Sequence, residues 1–159
     1  LKNTFFIITG DGVRLNRPLA DDSCKIVLGD EAMGTIFLIG IGGFLGAVCR
    51  YWISGLAQNL FRSVDFPYGT LAVNVIGCFV IGFLTYLVEF QSAFNPGIRM
   101  TVLIGMLGAF TTFSTFSQET INLVLSGEIT HGMANILLNN ALGLAAVWFG
   151  RSFAFWIWR

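Results

Sequence analysis

From Met33 onward, apolar residues run in four long blocks at about residues 34–55, 69–90, 98–125 and 132–158. Short polar or turn-rich intervals at 58–67, 91–97 and 126–131 separate them, the second carrying the turn signal Asn95-Pro96-Gly97. Each block has about the ~20 residues that carry an α-helix through the hydrocarbon core of a bilayer. The pattern therefore predicts an all-α membrane protein with four transmembrane helices. The third block is the irregular one. Gly105 and Gly108, followed by Thr111 and Thr112, weaken it near its middle, so a break is expected there. A break frees backbone carbonyls, and in lipid these need a ligand or an internal partner.

Composition agrees with the pattern: the 159 residues are 55% hydrophobic and only 11% charged, far from a soluble domain. Much of the charge precedes the first block, with Lys2, Arg14, Arg17 and Lys25 beside Asp11, Asp21, Asp22, Asp30 and Glu31. Residues 1–32 also contain Pro18, show no sustained period and lack a signal-peptide core. They are expected to be a disordered or spurious N-terminal extension with Met33 the natural start, and residues 33–159 the functional domain; a soluble arm is the competing reading. Cys24, Cys49 and Cys78 are widely spaced, which suits buried thiols better than a disulfide framework or metal site.

Beyond Met33 the cationic residues hardly orient the chain: Arg62 marks one face, Arg99, Arg151 and Arg159 lean to the other, and Arg50 falls near the end of the first block. Such weak asymmetry is compatible with insertion in both orientations. Small residues recur at close-packing spacing in Gly42 with Gly46, Gly43 with Ala47, Gly105 with Ala109, and Ala141 with Ala145. Four helices are few to enclose and seal a pore, so a homo-oligomer, most simply a dimer, is expected.

The third block is also where chemistry concentrates, in Gly108-Ala109-Phe110-Thr111-Thr112-Phe113-Ser114-Thr115-Phe116-Ser117. Phe110, Phe113 and Phe116 recur every three residues and can share a helical face. Such a stripe is usually core, yet ring edges carry partial positive charge and can meet an anion where water is scarce. Thr112, Ser114 and Thr115 could donate hydrogen bonds to it. Freed carbonyls favour a hard cation such as Na⁺, so the segment could hold a structural cation while its aromatic face meets an anion. Asn74 in the second block either joins helices or offers two N–H donors without fixed charge. Asn135 and Asn139, one turn apart with Asn140 alongside, make either a polar track for a small ion or a structural seam. Arg50 is a snorkelling interface residue or the mouth of an anion path. Glu119 lines a vestibule or is a satisfied helix-end carboxylate, while Glu89 and His131 read as solvated boundary residues. There is no enzyme signature: the single His has no adjacent nucleophile, and there is no phosphate-binding loop.

These residues give the chain a resemblance to the Fluc (CrcB) family of fluoride-specific ion channels. Residues 42–51 are similar to its first-span G-x-x-G-A-x-x-R-Y motif, residues 69–74 to its G-T-L-x-x-N motif, and residues 108–117 with Glu119 to its third-span motif. The resemblance implies a dual-topology antiparallel homodimer in the bacterial inner membrane, with two fluoride pathways and a central, non-transported Na⁺. It implies passive fluoride export that lowers cytoplasmic fluoride toxicity. By motif position the backbone carbonyls of Gly108 and Thr111 would hold the Na⁺. Asn74, Phe113 and Phe116 would line the pathway with Ser114 and Thr115, and Arg50 and Glu119 its vestibule. Asn135 and Asn139 would occupy fourth-span polar positions where many members carry Tyr and Ser. Fluoride, the lipid bilayer and a second copy of the chain are the implied partners; nucleic acid is not one.

Two other classes compete. A small four-span proton-coupled multidrug exporter would need an ionisable carboxylate near mid-membrane, which the first block lacks. In a non-conducting scaffold, the third-span hydroxyls would serve packing alone.

Overall fold

The computed structural model describes residues 6–9, 12–15, 30–62, 65–91 and 94–158. Strands β1 (Phe6–Thr9) and β2 (Gly12–Leu15) pair antiparallel, Phe6 opposite Leu15, ahead of the helical body. Most of residues 1–32, and with them the expectation of a disordered or spurious extension, lie outside the described residues. The rest is helical: α1 (Asp30–Phe61), α2 (Tyr68–Gln91), α3 (Pro96–Arg99), a π-helical stretch (Met100–Leu107), α4 (Gly108–Phe110), α5 (Phe113–Leu125) and α6 (Ile129–Ile157). Four helical segments are long and apolar enough to cross a membrane: Met33–Phe61, Tyr68–Phe90, Pro96–Leu125 and Ile129–Ile157.

Local chemistry sets the boundaries. The first span runs past residue 55 because nothing in Leu56–Phe61 breaks a helix; it stops where Arg62 adopts a positive φ of 48°. Gln58 then clasps the turn, its Nε2 donating to the Phe66 carbonyl at 3.1 Å and its Oε1 accepting from the Gly69 N–H at 3.0 Å. Asn95 caps the third span by accepting the Ile98 N–H at 2.9 Å, and Pro96 occupies the first helical position, where its missing N–H costs nothing. At the other end Gly127 takes φ +86°, and the Glu128 N–H reaches back to the Leu123 carbonyl at 2.9 Å. That left-handed glycine closes α5 and frees the chain to turn into α6.

In lipid, helices gain little by hiding apolar side chains from one another, so close backbone approach at small residues carries the packing. The third span lies on α1 through Gly42, Gly46 and Gly105: a Cβ on Gly42 would strike the Thr101 carbonyl, and one on Gly46 that of Met106. Span four lies on α2 in the same way, Gly82 against Val147 and Gly150 against Phe79. The fourth-span seam is Gly143, Ala146, Gly150 and Ala154, all buried. The expected Ala141 and Ala145 pair is not part of this stripe, and Ala141 is exposed. Gly42, Gly46 and Gly105 are thus used within the chain. Near one end of the bundle Tyr86, Leu87 and Ala154 form a small core with Phe83 and Leu84.

Candidate functional site

The distinctive backbone of the third span lies at Thr111 and Thr112. Helical dihedrals through Leu107 and Gly108 give way to φ −78°, ψ 155° at Thr111 and φ −147°, ψ 113° at Thr112. Two extended residues at this depth must place their polar groups elsewhere, and side chains receive them. The Thr112 N–H donates to Asn74 Oδ1 at 3.0 Å, and the Thr112 carbonyl accepts from Asn74 Nδ2 at 3.3 Å. Thr112 Oγ1 in turn caps α5, accepting the Thr115 N–H at 3.1 Å while donating to Thr115 Oγ1 at 2.8 Å. In a continuous α-helix those two N–H groups would point at the carbonyls of Gly108 and Thr111. Diverting them deprives both carbonyls of their usual helical donors.

Asn74 continues the polar seam into the fourth span. Its Nδ2 donates to Asn139 Oδ1 at 3.0 Å; Asn139 Nδ2 donates to Asn135 Oδ1 at 2.8 Å and to the Asn135 carbonyl at 3.1 Å. Asn135 Nδ2 donates to Thr120 Oγ1 at 2.9 Å, and Thr120 returns the chain to the third span by donating to the Phe116 carbonyl at 2.8 Å. Asn135 is 0% exposed. Asn140 is exposed and bonded to its own helix at Ile136, and it lines the same cavity as Asn74 and Asn139.

The interruption also separates the phenylalanines. Phe110 and Phe116 are buried, whereas Phe113 is 79% exposed. The two extended residues shift Phe110 out of phase with Phe113 and Phe116, which share α5. Phe113 and Phe116 still face each other with centroids 5.5 Å apart, tilted by 52°.

Open cavities follow this seam. One of about 350 Å³ is lined by Asn74, Gly108, Thr111, Thr112, Phe113, Phe116 and Asn139 among others. Thr112 is shared with a second of about 450 Å³, which holds Arg50, Ser54, Thr70 and Thr115. Thr70 belongs also to a third of about 420 Å³ bordered by Gln58, Asp65 and Glu119. Arg50 and Glu119 thus border different cavities, joined by Thr70. Thr70 Oγ1 donates to Glu119 Oε1 at 2.7 Å, while Oε2 is buried with no hydrogen-bond partner. Ser114 and Thr115 are exposed on the first turn of α5, and Asn135 is absent from the lining of the first cavity.

Among the described residues no cluster of His, Cys, Asp and Glu has metal-binding spacing. Cys49 and Cys78 are free thiols. Glu89 and His131 are at helix ends but paired: Glu89 with Arg151 at 2.8 Å and His131 with Glu128 at 3.0 Å. Thr70 and Thr120 are contributors that sequence reasoning did not single out. Thr70 lay inside the G-T-L-x-x-N motif, which was a signal; Thr120 had none beyond standing one turn after Phe116.

The family model described as "CrcB-like protein, Camphor Resistance (CrcB)" matches residues 37–151. The fluoride-specific ion channel FluC 1 of Methanosarcina acetivorans is 48% identical over 119 residues, 75% of this chain and 89% of that protein. A fluoride-specific ion channel FluC of Dehalococcoides mccartyi is 47% identical over 118 residues, 74% of this chain and 90% of its own. The FluC of Elusimicrobium minutum is 46% identical over 114 residues, covering 72% and 88%. The matched stretch takes in all of the polar seam, from Arg50 and Asn74 through the third span to Asn139. With four membrane-length helices and this agreement across most of both chains, the protein is a multi-pass membrane protein that belongs to the CrcB-like family.

Proposed function

We propose that the chain is a fluoride-specific channel that exports fluoride passively across the bacterial inner membrane and so lowers its cytoplasmic toxicity. The observation that carries this reading is the run of cavities sharing Thr112 and Thr70, the first of which offers amides, hydroxyls and phenylalanine rings with no charged side chain, while Arg50, Asp65 and Glu119 border the other two. Fluoride is small and tightly hydrated, so a pathway must replace its water with hydrogen-bond donors at close range. Neutral donors do this without trapping the ion.

In this reading Asn74, Asn139, Phe113 and Phe116 face the ion in the first cavity, with Ser114 and Thr115 near it. Arg50 and Glu119 border the vestibule. The functional unit is a dual-topology antiparallel homodimer; the exposure of Gly108, where a Cβ would meet nothing within 4 Å, leaves that face open to a second copy. Na⁺ is the structural cation that fits best, held by the carbonyl oxygens of Gly108 and Thr111, whose usual helical donors are diverted to Thr112 Oγ1 and Asn74. Bound there, it would neutralise the partial charge of those carbonyl oxygens without itself crossing. The family does not support the proton-coupled exporter as an alternative.

The test is release of fluoride from liposomes carrying the purified chain. Fluoride should leave down its gradient while chloride stays, and replacing Na⁺ by a bulky organic cation should weaken assembly or flux. Retention of fluoride by a correctly assembled dimer in Na⁺ would overturn the channel reading. Phe113→Ile should lower efflux by about tenfold with little loss of stability, because the ring is exposed; Phe116→Ile should lower it similarly and also cost about 1 kcal/mol of packing. Parental flux in both variants would reduce the rings to packing.

A further inference from the structure

The amide seam has a direction. At one end the Thr112 N–H can only donate, and at the other the Phe116 carbonyl can only accept. Between them stand Asn74, Asn139, Asn135 and Thr120, each donating onward to the next. Each amide presents an oxygen on one side and a nitrogen on the other. Flipping any one of them would set oxygen against oxygen or N–H against N–H at its contacts, and a buried unmatched pair is costly in a low-dielectric interior. Every side-chain orientation in the relay therefore follows from the two backbone groups of the third span, provided that Asn135 and Thr120 close the circuit.

We propose that Asn135, acting with Thr120, is a positioning residue that holds the polarity of the Asn139 amide facing the groove and so fixes the partner of the second Asn74 N–H. The proposal rests on the channel reading above. Asn135 is fully buried and does not line the groove, so it acts through Asn139. The donor count gives it functional weight. Asn74 Nδ2 serves Asn139 Oδ1 and the Thr112 carbonyl, and Asn139 Nδ2 serves two oxygens of Asn135. An amide has two N–H groups, so both residues are fully engaged. A passing anion gains a hydrogen from Asn74 or Asn139 only by displacing one of these acceptors, whereas Asn140, which lines the same cavity, commits one N–H to Ile136. The bond of Asn74 to the Thr112 carbonyl is the longest in the relay at 3.3 Å, and it is the one released first. Asn135 keeps the other N–H of Asn74 committed to Asn139, which leaves Asn74 a single donor for the ion.

The experiment compares reconstituted parent, Asn135→Leu, Thr120→Val, the double variant and Thr120→Ser. Fluoride efflux and the fluoride-to-chloride permeability ratio are measured on each. Asn135→Leu and Thr120→Val should each slow fluoride efflux by about tenfold, the scale of one misdirected hydrogen bond to an ion, and lower the permeability ratio. Because both break one circuit, the double variant should be no worse than the poorer single one. Thr120→Ser keeps the hydroxyl and should restore parental behaviour. Either assembled single variant with parental rate and selectivity overturns the proposal. So does slowed efflux at unchanged selectivity with Thr120→Ser as impaired as Thr120→Val, which is the mark of packing alone. If Asn135→Leu fails to assemble, the near-isosteric Thr120→Val decides. A parent that releases no fluoride removes the channel reading itself, and that failure is visible before any variant is compared.

Discussion

Asn74→Leu should cut fluoride efflux by about a hundredfold while four helices still insert. One side chain answers both backbone groups of Thr112 and the Asn139 amide oxygen. Leucine of similar volume satisfies none of them. Each polar group left without a partner in the membrane interior costs about 1–3 kcal/mol, so the extended pair at Thr111 and Thr112 must either rewind into helix or draw in water. Rewinding would return the Thr112 N–H to the Gly108 carbonyl and remove the turn that places Phe113 on the groove. The check is liposome efflux alongside the size of the purified assembly. A well-assembled Asn74→Leu protein with parental efflux would show that the interruption needs no amide and that Asn74 is dispensable.

Gly150→Ala should lower thermal stability by about 3 kcal/mol or prevent purification altogether. Its Cβ would run into the backbone carbonyl of Phe79. A clash with backbone cannot be relieved by a change of rotamer; overpacking of even flexible neighbours costs about 1–3 kcal/mol. In lipid, separating two helices forfeits the close contact that holds them. Gly34→Ala is the control, because a Cβ there meets nothing within 4 Å and alanine is the better helix former by about 1 kcal/mol. Equal unfolding temperatures in detergent for the two variants would contradict the close α2 to α6 approach.

Much of the architecture was legible in the chain. Four apolar blocks of membrane length leave the backbone little choice but helix, and Asn95-Pro96 marks a start by conformational preferences that hold anywhere. The third-span run of hydroxyls and phenylalanines also stood out, since side chains of that kind are costly in lipid unless something uses them. What could not be read was who meets whom. Asn135 and Asn139 were open to two readings, an ion track or a seam; the fold bonds Asn135 to Thr120 inside the bundle and leaves Asn139 at the groove. The phenylalanine spacing suggested one face; two extended threonines put Phe110 on a separate helical segment from Phe113 and Phe116.

From order and composition alone came the membrane setting, the number of spans, the turns and the segment in which polar chemistry gathers, because each depends on a residue's own solvation or on neighbours within a turn. Tertiary structure alone decided that Thr70 would meet Glu119, that Asn74 would take up both backbone groups of Thr112, and that Gly143, Ala146 and Gly150 rather than Ala141 and Ala145 would form the fourth-span seam. The reason is geometric. Periodicity defines the faces a helix can offer, but the crossing of two helices selects which face is covered and which polar atoms come within 3 Å or so of each other, and that selection is written in no single segment.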